Sequence, residues 1–210
     1  MISQGIQISL LIVLLRFHDC FCFFSKFSNK NIVALNKDLI KTASETELLS
    51  IIETLPSNFK KSDINGCWKV IKTIKSPEWT KYSNVLSLGQ NNRNFQIFDG
   101  KTNNFINLSE YYGSRFYATA SGTYSPRSSS SSGSKIDARV DRIDINVFGL
   151  KFKLNVSGDG VVNALHCTSG SSSGSGRIRV FQNEDGAIAI QESYPLPTEY
   201  SSLFDSLFNE

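Results

Sequence analysis

The sequence predicts a mainly β domain, an antiparallel barrel or sandwich entered through a short helical hairpin. Three observations predict it. Apolar periodicity is helical up to Pro56 and changes to two from Gly66 onward. Roughly nine short apolar runs then follow one another, separated by turn residues and with no helix-length segment between them, as a βαβ sheet would require. Finally, Asn65-Gly66-Cys67-Trp68-Lys69-Val70-Ile71 delivers a tryptophan from a turn glycine straight into an apolar strand. A small barrel begins in this way when an indole plugs its floor.

The elements follow in order. Ile32, Leu35, Leu39 and Ile40 suit one face of a first helix. Leu48, Ile51, Ile52 and Leu55 fall at i, i+3, i+4 and i+7, with Ser44 and Glu47 spaced as a capping box and Pro56 as the stop. Trp68, Val70, Thr73 and Ile74 form the first strand, interrupted at Ser76-Pro77. Phe95-Gln96-Ile97-Phe98 and Asn104-Phe105-Ile106-Asn107-Leu108 flank Asp99-Gly100, a hairpin signal. Residues 115–124 are a third run, and the serine-rich stretch 126–134 reads as a mobile loop. Ile136, Ala138 and Val140 alternate, then Ile143, Ile145 and Val147 resume on the other parity, which places a bulge at Asp141-Arg142. Gly149 turns into Leu150, Phe152, Leu154 and Val156, and Gly158-Asp159-Gly160 reads as a further turn into residues 161–167. After a second Ser/Gly loop at 169–176 comes a strand over residues 178–181. Glu184-Asp185-Gly186 then makes a last hairpin into Ile188 and Ile190.

Composition bounds the function. The chain has 210 residues, 40% hydrophobic and 20% charged, enough for one domain with extensions. Its formal charge of +3 resides in the first 37 residues, which hold Arg16, Lys26, Lys30 and Lys37 against Asp19 alone. The remaining body is neutral and lacks the basic footprint of a nucleic-acid binder. Within the leader, residues 8–15 form an apolar run well short of the ~20 needed to span a bilayer. Residues 1–22 read as a signal peptide, with Cys20 and Cys22 at the small-residue positions of a cleavage before Phe23. Residues 23–37 carry Phe, Ser and Lys without an acid, which is transit-peptide composition. A signal followed by a Phe-led transit segment resembles the bipartite leaders of plastids acquired by secondary endosymbiosis; an ordinary secretory signal is the alternative. Cys67 and Cys167, the cysteines of the body, are expected as free buried thiols.

Catalysis finds little foothold. His166 is the only histidine of the body, and although it adjoins Cys167, consecutive strand residues point to opposite faces. A satisfied or exposed histidine is expected instead. One His and two distant Cys supply no metal set, and Gly174-Ser175-Gly176 lacks the context of a dinucleotide loop. Asp141 with Asp144, and Glu184 with Asp185, read as strand-edge and turn residues. No catalytic residue, metal or cofactor is therefore assigned.

Three pieces together resemble one family. Asn65-Gly66-Cys67-Trp68-Lys69-Val70 is similar to the opening, Asp141-Arg142-Ile143-Asp144-Ile145-Asn146-Val147-Phe148-Gly149-Leu150 to the central strand pair, and Arg177-Ile178-Arg179-Val180 with Gly186-Ala187-Ile188-Ala189-Ile190 to the closing hairpin of the plastid lipid-associated proteins, or plant fibrillins. The resemblance spans residues 32–191. It departs at Gln182-Asn183-Glu184, at His166-Cys167 and in both Ser-rich loops. It implies a lipocalin-like barrel over residues 38–197, followed by a tail at 198–210. It also implies that Arg179 lies over Trp68 as a cation–π lid; Trp68 then either closes the floor or lines a cavity. Inward residues of the later strands, Ile143, Ile145, Phe152 and Leu154, are ligand candidates or solid core. The implied function is non-enzymatic: binding or shielding hydrophobic molecules such as prenylquinones, carotenoids or acyl lipids, peripherally at thylakoids or lipid droplets. The alternative is a filled barrel that scaffolds an enzyme of isoprenoid or quinone synthesis. In the tail, Leu203, Phe204, Leu207 and Phe208 could dock on such a partner or a membrane, or cap the barrel itself.

Overall fold

Two side-chain caps start the helices. In the computed structural model, which describes residues 35–75, 93–127, 134–168, 176–201 and 204–205, Asn36 Oδ1 accepts from Leu39 N at 2.9 Å and opens α1 (Lys37–Thr42). Ser44 and Glu47 close the expected reciprocal capping box on α2 (Glu45–Thr54), which stops one residue short of Pro56, with Leu55 as its C-cap. Residues 1–34, which hold all but the last three residues of the leader together with Ile32, lie outside the described residues, as do Ser76-Pro77 and most of both Ser-rich loops.

Eight strands follow: β1 (Gly66–Ile74), β2 (Asn94–Asp99), β3 (Asn104–Tyr112), β4 (Phe116–Arg127), β5 (Ser134–Val147), β6 (Leu150–Cys167), β7 (Ile178–Asn183) and β8 (Ile188–Ser193). Each pairs antiparallel with the next, and β8 pairs with β1, so the sheet closes into a barrel. Closure is uneven. β6 meets β7 only between Val162 and Cys167, while residues 150–161 pair with β5 alone among the described residues.

Two sequence expectations are corrected here. Gly158-Asp159-Gly160 is not a turn: Gly158 pairs with Val140 and Gly160 with Ala138, so β6 runs through it and the strand count is eight. Pro126 is not in a loop either; β4 continues to Arg127, with Pro126 opposite Ile136. The expected bulge is present, since the register steps from Ser121–Arg142 to Gly122–Val140 and leaves Asp141 over.

Alternation divides the strand residues between two faces. Ile64, Phe98, Phe105, Tyr124, Ile136, Ala164 and Phe181 cluster on one of them. Phe98 and Phe181 meet edge-on at 6.3 Å from strands that are not neighbours, so this face is the barrel interior. The outer face is covered twice. Leu35, Ile40, Leu48 and Ile52 of the helical hairpin pack on Ile74, Ile178, Val180, Ile188 and Ile190. Lys72 Nζ fastens α1 there by donating to the carbonyls of Ile40 and Ala43 at 3.2 and 2.9 Å. Farther round, Tyr200 and Phe204 of the tail bury Cys67, Phe95, Ile97, Ile106 and Leu108. Phe204 is thus part of the barrel's own outer packing.

Candidate functional site

The floor is built from β1 and β7. Trp68 enters behind Gly66, buried to 2% exposure, and its Nε1 donates to the Asn65 carbonyl at 3.1 Å. Arg179 is fully buried, with its guanidinium 4.2 Å from the ring centroid of Trp68, 4.2 Å from that of Phe181 and 5.1 Å from that of Phe98. Its Nε donates to Gln191 Oε1 at 2.6 Å and its Nη1 to the Ile64 carbonyl at 2.7 Å. Gln191 in turn donates to Gln96 Oε1 at 2.7 Å, and Tyr124 Oη donates to Asn65 Oδ1 at 2.9 Å. Burial pushes the Arg179 guanidinium well below its ordinary value, because no carboxylate accompanies it into the interior. Arg177 lies nearer the surface, ion-paired with Asp63 and 5.6 Å from the Trp68 ring centroid.

Above the floor the lining changes. Cross-strand partners share a face, so the register row Trp68, Gln96, Asn107, Ala120, Ile143, Leu154 runs round the inner wall. The next row toward the mouth is Asn94, Ser109, Ala118, Ile145, Phe152. The six residues singled out by sequence therefore form two groups. Trp68 and Arg179 are packed together in the floor. Ile143 with Leu154, and Ile145 with Phe152, are cross-strand pairs on the inner face of β5 and β6. Of these four, Ile145 is buried, Ile143 and Leu154 are half-buried and Phe152 is 41% exposed, although all face inward.

Sequence reading missed the small residues opposite them. Ala118 and Ala120 on β4 stand beside Ile145 and Ile143 and leave the inner wall shallow. Only the register reveals this, because alanine in a strand carries no periodic signal of its own. Asn107 was missed too. It lies on the same inner row, and its Oδ1 is buried with no hydrogen-bond partner. Two concavities, of about 500 and 450 Å³, lie elsewhere: one between Arg115, Lys151, Phe148 and Tyr200, the other between Tyr124, Arg127, Ala138 and Glu184. Neither is lined by any of the six.

The titratable groups weighed for catalysis are buried or paired. His166 is buried, and its Nδ1 donates to the Pro56 carbonyl at 3.0 Å. It pairs with Val180 while Cys167 pairs with Arg179, so the two face opposite ways as expected. Cys67 and Cys167 are free and buried. Asp141 is ion-paired with Arg139 and Asp144 with Arg142. Among the described residues no group of three or more His, Cys, Asp or Glu could hold a metal, and no helix is long and apolar enough to cross a membrane. Comparison with protein-family models, curated proteins and solved structures returns no match.

Proposed function

We propose that this chain is a non-enzymatic lipid-associated protein of the fibrillin kind. It takes one hydrophobic molecule, such as a prenylquinone, carotenoid or acyl lipid, against the inner wall of β4, β5 and β6. One observation carries the reading: Ile143, Leu154 and Phe152 face inward yet stay partly uncovered. Inward apolar surface left wet is surface that a ligand can cover, at ~25 cal/mol for each Å² removed from water. Asn107 refines the choice. A buried amide oxygen without a partner favours a ligand bearing a hydroxyl or N–H over a pure hydrocarbon. The leader composition supports delivery to a plastid, and the fully packed Trp68–Arg179 floor supports a one-ended site. The scaffold alternative has less support, because Phe204, one of the four tail residues offered to a partner, is buried on this barrel.

The test is retention. The full chain is mixed with a total plastid lipid extract, repurified by gel filtration, and its bound material analysed by mass spectrometry. A stoichiometric lipid is expected in the wild type, and most of it is lost in Ala120→Phe, which fills the shallow part of the wall. A folded wild-type protein that emerges empty refutes the reading.

A further inference from the structure

The β5–β6 turn breaks a local rule. Val147-Phe148-Gly149-Leu150 is a two-residue hairpin turn whose central residues both have positive φ, 50° at Phe148 and 92° at Gly149. Such turns favour Asn-Gly or Asp-Gly, and a bulky side chain at the first position is strained. Internal packing offsets little of that strain. Phe148 is 64% exposed, and its ring neighbour, Tyr112, is 6.0 Å away between centroids. The next two inner-face residues of β6, Leu150 and Phe152, are 66% and 41% exposed. Three of the chain's large exposed hydrophobics thus sit within five consecutive residues.

Charge surrounds them on one side only. Lys151 and Lys153 alternate with Leu150 and Phe152 and are exposed, as is Arg115 in the adjoining β3–β4 turn. Among the described residues none of these three cations is in a salt bridge. The nearby carboxylates are engaged: Glu199 with Arg93 and Asp144 with Arg142. The tip is also braced. Asn146 Nδ2 donates to the carbonyls of Ser114 and Arg115, 3.1 Å each, and Phe148 N donates to Arg115 O at 2.6 Å, so the two turns are tied together.

We infer that this tip docks the barrel on a phospholipid bilayer bearing anionic headgroups, with Phe148, Leu150 and Phe152 sunk into the interface and Arg115, Lys151 and Lys153 on the headgroup phosphates. This rests on the lipid-binding reading and names the surface through which it operates. A projecting apolar wedge fits a deformable interface better than a flat protein face, and its like-charged collar opposes pairing with a second copy. The apolar stretch runs roughly 10 Å along the strand, close to the ~5–10 Å depth of interfacial insertion. Leu150 and Phe152 lead directly to Ile145 and Leu154, so docking turns the open end of the inner wall toward the bilayer.

Two measurements test this with the full chain, so that the leader contributes equally to every sample. In Phe148→Trp, brominated lipids should quench emission beyond the quenching of wild type; no added quenching overturns the inference. In Phe148→Asn, the turn becomes an ordinary Asn-Gly, so the fold should be at least as heat-stable. Partition onto phosphatidylcholine–phosphatidylglycerol vesicles should nevertheless fall ~10-fold. Unchanged partition overturns the inference. Lys151→Glu with Lys153→Glu should weaken binding to those vesicles and leave binding to phosphatidylcholine alone unchanged; equal loss on both overturns the anionic preference. Lipid retention separates the two readings. A chain that retains lipid but partitions independently of Phe148 sinks the docking inference alone, and an empty chain that still docks through Phe148 sinks the cargo alone.

Discussion

Arg179 is a buried cation held by rings and carbonyls, with no carboxylate beside it. Its planar fork reaches Gln191 and the Ile64 carbonyl while its centre lies 4.2 Å from the ring centroids of both Trp68 and Phe181. Lysine cannot do both. Arg179→Lys should leave a desolvated point charge and two orphaned acceptors, lowering stability by about 3 kcal/mol; Arg179→Met, which removes the charge, should cost less. Urea midpoints decide the order, and a lysine variant as stable as wild type would contradict it. Other buried groups set the alkaline limit. Burial pushes the Cys67 thiol from its ordinary 9.0 up to about 11. Tyr200 lies above its ordinary range through burial and through its hydrogen bond to Glu110. In both the folded state keeps a proton that the unfolded chain releases, so stability is complete below about pH 9 and falls as pH rises beyond it. Denaturant midpoints should decline toward pH ~11, and Tyr200→Phe should make the decline shallower above pH ~10. A flat profile in the wild type would contradict this assignment.

At the scale of elements, the bulge between β4 and β5 shows what a sequence can and cannot announce. The change of parity between Val140 and Ile143 is visible in the residues, because apolar side chains must return to the inner face after an extra residue. The reason for Gly122 is not visible. A Cβ there would run into the Arg139 carbonyl across the bulge. Gly122→Ala should force the strands apart and cost about 2 kcal/mol, read as a fall in melting temperature; an unchanged value would mean that the bulge yields freely. Gly158-Asp159-Gly160 misleads for a related reason. Its composition is that of a turn, yet Gly160 lies in one row with Ala138 and Tyr124, and Gly158 with Val140 and Gly122. These glycines are small neighbours inside a continuous strand, and only long-range pairing distinguishes that from a reversal. The helix α2 was legible because its cap, periodicity and stop are all local.

The whole molecule divides into a sealed floor and an incompletely covered wall. The barrel and the Trp68 plug could be read from turn spacing and a single tryptophan, since both are repeated or unusual local signals. The uncovered wall could not, because it depends on Ala118 and Ala120 falling opposite Ile145 and Ile143, a register set by the bulge between β4 and β5. Phe148 was present in the sequence as a residue of the central strand pair, but its meaning required its backbone angle and exposure together. The limited pairing of β6 with β7 bears on cargo size. Among the described residues the first twelve positions of β6 pair with β5 alone, which leaves their far edge without a hydrogen-bonded strand. On the proposed reading, a cargo held by its head group would let a longer chain trail past that edge, and molecular length would then cease to be a criterion of selection.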